Sequence, residues 1–529
     1  MKRLFPVLFV ALVFARVPSI VQPAGGDQGL YAYVGQAMAR GDVPYRDAWD
    51  QKPPAVHATY ALMYAVWPHD SIVAVTDLAA AILTALLLVA VGRRLAGSRG
   101  PGELAALLFL FLGNPAFLRL SGMYVRAQCE TFIGLLAVAA LLLIARGTPR
   151  KFEDLRPRAA YLFGAGALLG VAFLFKYNAG IYLAAGAATA ILLQVEAGDR
   201  RGVVSASIAP LGLLAAGFVV PVALTVVYFI HAGALRDLFD ATVTYNLKYS
   251  GETYGSRLGF LTYLVTFPVR HALRQSDSLW LLGGLGTAVL LFSAARDRVR
   301  LVVPIWVAAA CLSIAINGGR GLPQYFVQAG PVLALAAGLA GVYVWSAVTL
   351  VPRAVLVAVL VFAVARVSPF AKVVENTRFD LAYLGGRMSR TDYLARFASD
   401  RYSAVALGDL ADYLRTSTGP TDRIFVFGFS GAAYVRAERA SASRFFWSRP
   451  ILVGFNDGVP GYGAAGLLND LSTRHPVVVV LQEHDWPAEG VDSATYFMRD
   501  PRLGTWLQST YELASRNGIY QVWRRRAGV

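Results

Sequence analysis

Residues 71–91 read SIVAVTDLAAAILTALLLVAV, an apolar run in which Asp77 is the one ionisable residue. About 20 such residues, wound as a single helix, cross the hydrocarbon core of a bilayer. Runs of the same character extend from Leu4 to Gln22, Leu104 to Leu118, Thr131 to Ala145, Tyr161 to Phe175 and Ala179 to Val195. Further runs cover Val203 to Ile230, Leu279 to Ala295, Leu301 to Ile316, Phe326 to Trp345 and Ala354 to Val367. The pattern predicts a polytopic α-helical membrane protein with about eleven spans. Of the 529 residues, 56% are hydrophobic and 16% charged, and the mean hydropathy is +0.50. Soluble proteins are about 25% charged, so a string of soluble domains is excluded.

The 49 basic and 33 acidic residues give a formal charge of +16. Residues 1–368 hold 30 basic and 17 acidic side chains, against 19 and 16 in residues 369–529. The excess therefore belongs to the membrane part, where Lys and Arg mark cytoplasmic loops, and no nucleic-acid partner is expected. With Met1 in the cytoplasm, the short basic connections fall inside: Arg93/Arg94/Arg99, Arg146 to Arg158, Arg200/Arg201 and Arg296/Arg298/Arg300. The opposite side receives Pro23 to Asp70, His231 to Ser278 and the whole chain after Ser368. Lys2 and Arg3 before the first run, with Ala24 and Gly25 after it, imitate a cleaved signal peptide. Arg16 inside the run and the many spans that follow favour a retained helix. The only cysteines, Cys129 and Cys311, can build neither a disulfide framework nor a thiolate metal site.

The tail changes character. Val405, Leu407, Leu410 and Leu414 interleave with Asp409, Asp412 and Arg415 at helical spacing, and Gly419-Pro420 breaks the chain before the strand-like Ile424 to Phe427. Val477 to Leu481 reads as a second strand, Leu503 to Ser509 as a helix and Tyr520 to Trp523 as a closing strand. The chain thus divides into a membrane domain (1–368), a connecting segment (369–402) and a small extracytoplasmic C-terminal α/β domain (403–529).

Ionisable residues at the outer ends of the spans carry the chemistry. Residues 25–54, GGDQGLYAYVGQAMARGDVPYRDAWDQKPP, crowd Asp27, Asp42, Asp47, Asp50, Arg40, Arg46 and Lys52 into one loop. Asp27 reads either as the cap of a helix from Gly29 to Arg40 or as a catalytic carboxylate. Arg126 and Glu130 precede the fourth span; Glu130 either complements the helix dipole or serves the reaction. Lys176 either snorkels from a helix end or meets a ligand. In GGRGLPQYF (318–326), Arg320 is either an interfacial turn residue or a phosphate ligand, since its fork suits bidentate recognition and the glycines admit close backbone approach. Arg16 and Arg366 read as snorkelling residues, and Asp77 as the partner of a basic neighbour. His57 and His271 stand alone, without a second His or Cys at ligand spacing, which argues against a dedicated zinc site. Neither GxxxxGK[ST] nor GxSxG occurs, so ATP-driven transport and serine hydrolysis lose their usual signs.

An acidic residue soon after the first helix is followed by GDVPYRDAWDQKPP (41–54), FKYNAG (175–180) and GRGLPQYFVQAGP (319–331). In that order these resemble the GT-C superfamily of membrane glycosyltransferases, specifically the glycosyltransferase family 39-like proteins related to protein mannosyltransferases and the lipid A aminoarabinose transferase. The tail segment DRIFVFGFSGAAYVRAERASASRF (422–445) is similar to one in bacterial members. The resemblance implies an enzyme of the bacterial inner membrane that moves a sugar, with inversion, from a polyprenyl phosphate donor to an extracytoplasmic glycan, lipid or protein acceptor. It implies Asp27 as general base and Glu130 as the second catalytic carboxylate. Lys52, Arg320 and Lys176 would then bind the donor phosphate, and Tyr325, Gln324 and Arg126 the substrate. Two positions depart from the family: Gln28 stands where a second acidic residue is common, and Gln324 where a histidine often precedes the tyrosine. No cofactor is required by this reading; a divalent metal ion is compatible with it. The alternatives are a transporter or flippase of lipid-linked sugars, which predicts paired inverted halves with interrupted helices, and a non-catalytic scaffold in which every such charge is structural.

Overall fold

The computed structural model describes residues 4–117, 119–120, 123–148, 159–197, 203–251, 253–275, 277–347, 354, 357–358, 361 and 370–528. Its helices are α1 (Leu4–Phe14), α2 (Asp27–Ala39), α3 (Pro54–Val66), α4 (Ser71–Ala96), α5 (Gly100–Leu112), α6 (Cys129–Gly147), α7 (Ala159–Phe175) and α8 (Ile181–Ala197). They continue with α9 (Val203–His231), α10 (Leu235–Phe239), α11 (Tyr245–Gly251), α12 (Arg257–Arg274), α13 (Ser278–Ser293), α14 (Val302–Ile316) and α15 (Gly330–Ala347). Ten of the eleven expected runs coincide with apolar helices, but only seven of these segments are long enough to cross a bilayer unaided; α5, α7 and α13 are shorter. The eleventh run, Ala354 to Val367, lies largely outside the described residues, as does Arg366. The chain is an integral membrane protein built mainly of helices.

Local sequence explains where the helices stop and how closely they pack. The expected run to Leu118 ends as α5 at Leu112 because Gly113-Asn114-Pro115 follows, and proline cannot continue the hydrogen-bond ladder. The freed carbonyls are taken by Arg16, whose Nη2 lies 2.9 Å from Leu110 O and 2.8 Å from Gly113 O. Arg16 is therefore a buried helix cap and does not snorkel. Asp77 takes the Ala127 N–H at 2.8 Å, and its charge also faces two basic neighbours, Arg16 and Arg126, as expected. Between α7 and α9 the backbones almost touch: a Cβ at Gly166 would lie 2.1 Å from Leu214 O, and one at Gly217 2.0 Å from Phe163 O. Small residues at such crossings give membrane helices their packing energy where water supplies none.

Two short pairs, β1 (Arg119–Leu120) with β2 (Met123–Tyr124) and β3 (Ala398–Ser399) with β4 (Tyr402–Ser403), precede the sheet of the tail; its strands β5 (Arg423–Phe427), β6 (Ala440–Ser441), β7 (Val478–Gln482), β8 (Tyr511–Asn517) and β9 (Tyr520–Arg525) lie in the order β6-β5-β7-β9-β8. β6, β5 and β7 run parallel, and β9 and β8 close the sheet as an antiparallel hairpin turned at Gly518. The helix Ala404–Ser417 buries Leu407, Leu410 and Leu414 as its spacing requires, and its N-cap Ser403 accepts the Ala406 N–H at 3.2 Å.

The first loop fastens this sheet to the end of the bundle. The Tyr33 hydroxyl on α2 accepts the Ser441 N–H at 2.8 Å, and Trp49 N–H donates to Arg444 O at 2.8 Å. Trp447 Nε1 donates to Trp49 O at 3.0 Å, and Arg436 pairs with Asp70 at 2.6 Å. The core therefore continues from the bundle into the sheet.

Candidate active site

Asp27 is the first residue of α2, behind Gly26 at φ 53°, a backbone conformation that glycine adopts freely. It is not the expected cap: the helix end is served by Gln28, whose Oε1 accepts the Gly25 N–H at 3.1 Å. Gln28 Nε2 also reaches Arg126 O at 3.0 Å, so the residue that departs from the family pattern is a buried strut. Asp27 is left to face a cavity, where Gln324 Nε2 lies 3.4 Å from its Oδ2.

Lys52 is presented by a braced loop. Tyr45, at φ 70°, donates its N–H to Ala48 O at 2.8 Å and its hydroxyl to Lys52 O at 2.8 Å. Asp50 accepts the Gln51 N–H at 2.7 Å and sits 2.8 Å from His57 Nε2, both side chains buried. Pro53 and Pro54 then start α3 with φ already set. Burial, the largest influence on Asp27, raises its carboxyl above the ordinary range against the pull of Lys52. Burial is also the largest influence on Lys52 and opposes its charge, but the groups facing it, Asp27 foremost, hold the ammonium above the usual lysine range.

Arg320 comes from the turn before α15. Its guanidinium lies 3.6 Å from the Tyr249 ring centre, and Nη1 donates to Tyr249 O at 2.7 Å. From the tail, Arg449 approaches the same ring at 4.8 Å, donates to the Tyr245 hydroxyl at 2.5 Å and pairs with Glu489 at 2.8 Å. A cavity of about 190 Å³ is lined by Asp27, Asp50, Lys52, Arg320, Gln324 and Tyr325 from the membrane part. The tail contributes Arg401, Phe429, Arg449, Asp485, Trp486 and Glu489. A second cavity of about 280 Å³ shares Lys52, Tyr249 and Tyr325 with the first and adds Lys176.

Lys176 does not snorkel. It is buried, with Nζ 2.5 Å from Glu130 Oε1 and 4.5 Å from the Tyr325 ring centre. Glu130 lines neither cavity and serves as the counter-ion of Lys176. Arg126, by contrast, lies outside both cavities, donating Nη1 to Ser19 O at 2.9 Å and packing 5.6 Å from the Tyr124 ring centre. Asp27, Lys52, Arg320, Gln324 and Tyr325 are brought together, and Lys176 adjoins them. Among the described residues no three of His, Cys, Asp and Glu gather where a metal ion could be held. Asp50 is already engaged by His57, and His271 by Asp277 at 3.0 Å. This donor set does not fit a metal ion.

Asp485 belongs to the roof. Ser493 donates its N–H to Oδ1 at 2.9 Å and its Oγ lies 2.5 Å from Oδ2. Burial outweighs these bonds and pushes the carboxyl up to about 7. The folded chain thus keeps a proton that the unfolded chain releases near about pH 4. This group's contribution to stability is complete below that pH and is lost as pH rises through about 7. The apparent Tm of the purified protein should fall as pH rises from about 4 to about 7 and level off above that, and Asp485→Asn should flatten the decline.

No protein-family model matches the sequence, and no curated protein sequence does. Solved structures do. ArnT from Cupriavidus metallidurans bound to undecaprenyl phosphate aligns at a TM-score of 0.56 with 16% identity, over 100% of this chain and 98% of that one. The same protein in the apo state gives 0.57 with 17% identity, over 99% and 98%. The archaeal oligosaccharyltransferase AglB from Archaeoglobus fulgidus, in complex with an inhibitory peptide and a dolichol-phosphate, gives 0.52 with 14% identity, over 99% of this chain and 74% of that one. The resemblance carried by the motifs thus holds at the level of the whole backbone: the chain has the fold of the GT-C superfamily.

Proposed function

We propose that this chain is an inverting glycosyltransferase that moves a sugar from a polyprenyl phosphate donor to an acceptor on the tail's side of the membrane. The support is the meeting of Asp27 and Lys52, from the two ends of the first loop, with Arg320, from the distant turn before α15, in one cavity roofed by the tail. The shared fold with ArnT bound to undecaprenyl phosphate and with AglB holding a dolichol-phosphate agrees with a lipid-phosphate ligand. In this reading residues 1–368 are the membrane transferase domain, 369–402 the connector and 403–529 an extracytoplasmic domain. The amino terminus is cytoplasmic, as the basic loops require, in a bacterial inner membrane.

A sugar hydroxyl is a weak nucleophile, so Asp27 takes its proton as the oxygen attacks the anomeric carbon of the donor. Burial raises the Asp27 carboxyl, which makes it a better base than an ordinary aspartate. The bond to the phosphate oxygen breaks in the same step, and the leaving polyprenyl phosphate is an anion that needs compensation rather than a proton. Lys52 and Arg320 face that position in the first cavity, and Lys176 extends the cationic wall into the second. One displacement inverts the anomeric centre. Gln324 holds Asp27, and Tyr325 separates the two cavities. The transferred group is a hexosyl or pentosyl unit, and the acceptor is a glycan, lipid or protein.

Lys52→Met should raise the KM for donor by about 10- to 100-fold, the value of a charge-assisted hydrogen bond to phosphate. It should also move the acid limb of the pH–rate profile upward, because Asp27 loses the cation that favours its ionised form. Steady-state kinetics across pH checks both. The reading itself is tested by incubating purified protein with polyprenyl phosphate sugars and an envelope lipid extract, with mass detection of the transferred sugar. Turnover of one donor supports it; no consumption of any donor contradicts it.

A further inference from the structure

The helix Phe370–Leu384 is amphipathic in the reverse sense of a helix on a soluble protein. Its polar side is turned inward: Asn376 and Asp380 are 6% and 2% exposed. Asn376 accepts from the Tyr124 hydroxyl, and Asp380 accepts from Tyr393 at 2.6 Å and from Gln22 at 2.9 Å. Its apolar side faces outward, with Val374, Leu381 and Leu384 51%, 50% and 53% exposed. The helix packs across Val17–Val21 and Pro115–Phe117, the turns that follow α1 and α5, so it lies where those spans leave the bilayer. An outward apolar face at that level is the face of an interfacial helix set into the leaflet.

Between this helix, α1 and α5 runs a groove of about 740 Å³. Its floor is apolar, with Leu12, Leu110 and Phe111 from the spans, and its rim carries Arg378 and Arg387. Val374, Arg378 and Leu381 share one helical face. Neither the Arg378 nor the Arg387 guanidinium has a hydrogen bond or ion pair with any described residue; of the two acids on the groove helix, Asp380 is taken by Gln22 and Tyr393, and Glu375 is exposed and pairs with no described residue. Two unpaired guanidinium groups above an apolar slot at headgroup depth match one ligand chemistry: a phosphate monoanion joined to hydrocarbon.

We propose that this groove binds an anionic phospholipid of the leaflet on the tail's side, its phosphate between Arg378 and Arg387 and an acyl chain lying against α1 and α5. The groove shares no lining residue with the two cavities of the candidate active site. The occupant is therefore a structural lipid and not the sugar donor. By seating the helix that leads into the sheet, it steadies the roof over those cavities.

The test is native mass spectrometry of the full-length protein released from nanodiscs of phosphatidylcholine doped with phosphatidylglycerol. Selective retention of one phosphatidylglycerol is expected. Arg378→Gln with Arg387→Gln should weaken retention roughly 30-fold, at about fivefold per arginine. Ala15 lines the groove just past the end of α1, and Ala15→Trp, which fills it and leaves both charges in place, should also displace the lipid. Equal retention of phosphatidylcholine would overturn the proposal, as would unchanged retention in Ala15→Trp. Displacement of phosphatidylglycerol by an equimolar polyprenyl phosphate would overturn it too, by giving the groove to the donor.

Discussion

Asp27→Asn should lower sugar transfer by about 10³-fold, within the roughly 10²- to 10⁴-fold that a positioned general base contributes. The substitution keeps size and shape, and the amide can still meet Gln324. What it removes is the acceptor for the nucleophile's proton. Asp27 makes no cap or ion pair on which the fold depends, so expression, Tm and donor binding should stay close to the wild type. The expected signature is a fall in kcat with little change in the KM for donor, read from initial rates at saturating donor. In the wild type the same rates should rise with pH through an acid limb above the ordinary aspartate range, because burial raises this carboxyl.

Glu130→Gln should act on the fold as well as on the rate. Lys176 and Glu130 are both buried and lie 2.5 Å apart, so the substitution leaves an ammonium in an apolar setting with no counter-ion. Breaking a buried pair from one side costs about 3–5 kcal/mol, whereas removing both charges is close to neutral. Glu130→Gln is therefore expected to lower the Tm sharply, and Glu130→Gln with Lys176→Met to restore most of it. Restored stability without restored donor affinity would mark Lys176 as a ligand of the lipid phosphate. Thermal unfolding and donor titration on the four proteins of this double-mutant cycle separate the two effects.

Much of this arrangement was legible in the chain because membrane helices are written in long apolar runs. Ten of the eleven runs are helices, and the polar residues that interrupt them sit at their ends. Asp27, Lys52 and Arg320 stand out for the same reason, since charged groups beside a span are costly unless used, whereas Tyr325 is marked by the resemblance alone. What the chain could not show was partnership across elements. Glu130 and Arg126, four residues apart, looked alike, yet one holds Lys176 and the other holds Ser19 O. Arg16 read as a snorkelling residue because the carbonyls it caps lie 94 positions and more away. The roof residues Arg449, Asp485, Trp486 and Glu489 carry no local signal, since only the docking of the sheet on α2 brings them over the cavity. Strand β8, Tyr511–Asn517, was missed because it is an exposed, polar edge whose alternation is weak.

The central claim is that chemistry, and not passage, occurs beside Asp27. Proteoliposomes holding the wild type, with polyprenyl phosphate sugar and acceptor, can be followed by mass spectrometry for donor, free polyprenyl phosphate and glycosylated acceptor. Donor loss is expected to be matched mole for mole by free polyprenyl phosphate and by acceptor of inverted anomeric configuration, and Asp27→Asn is expected to stop all three changes. Intact donor accumulating in the opposite leaflet, with no polyprenyl phosphate released, would contradict it.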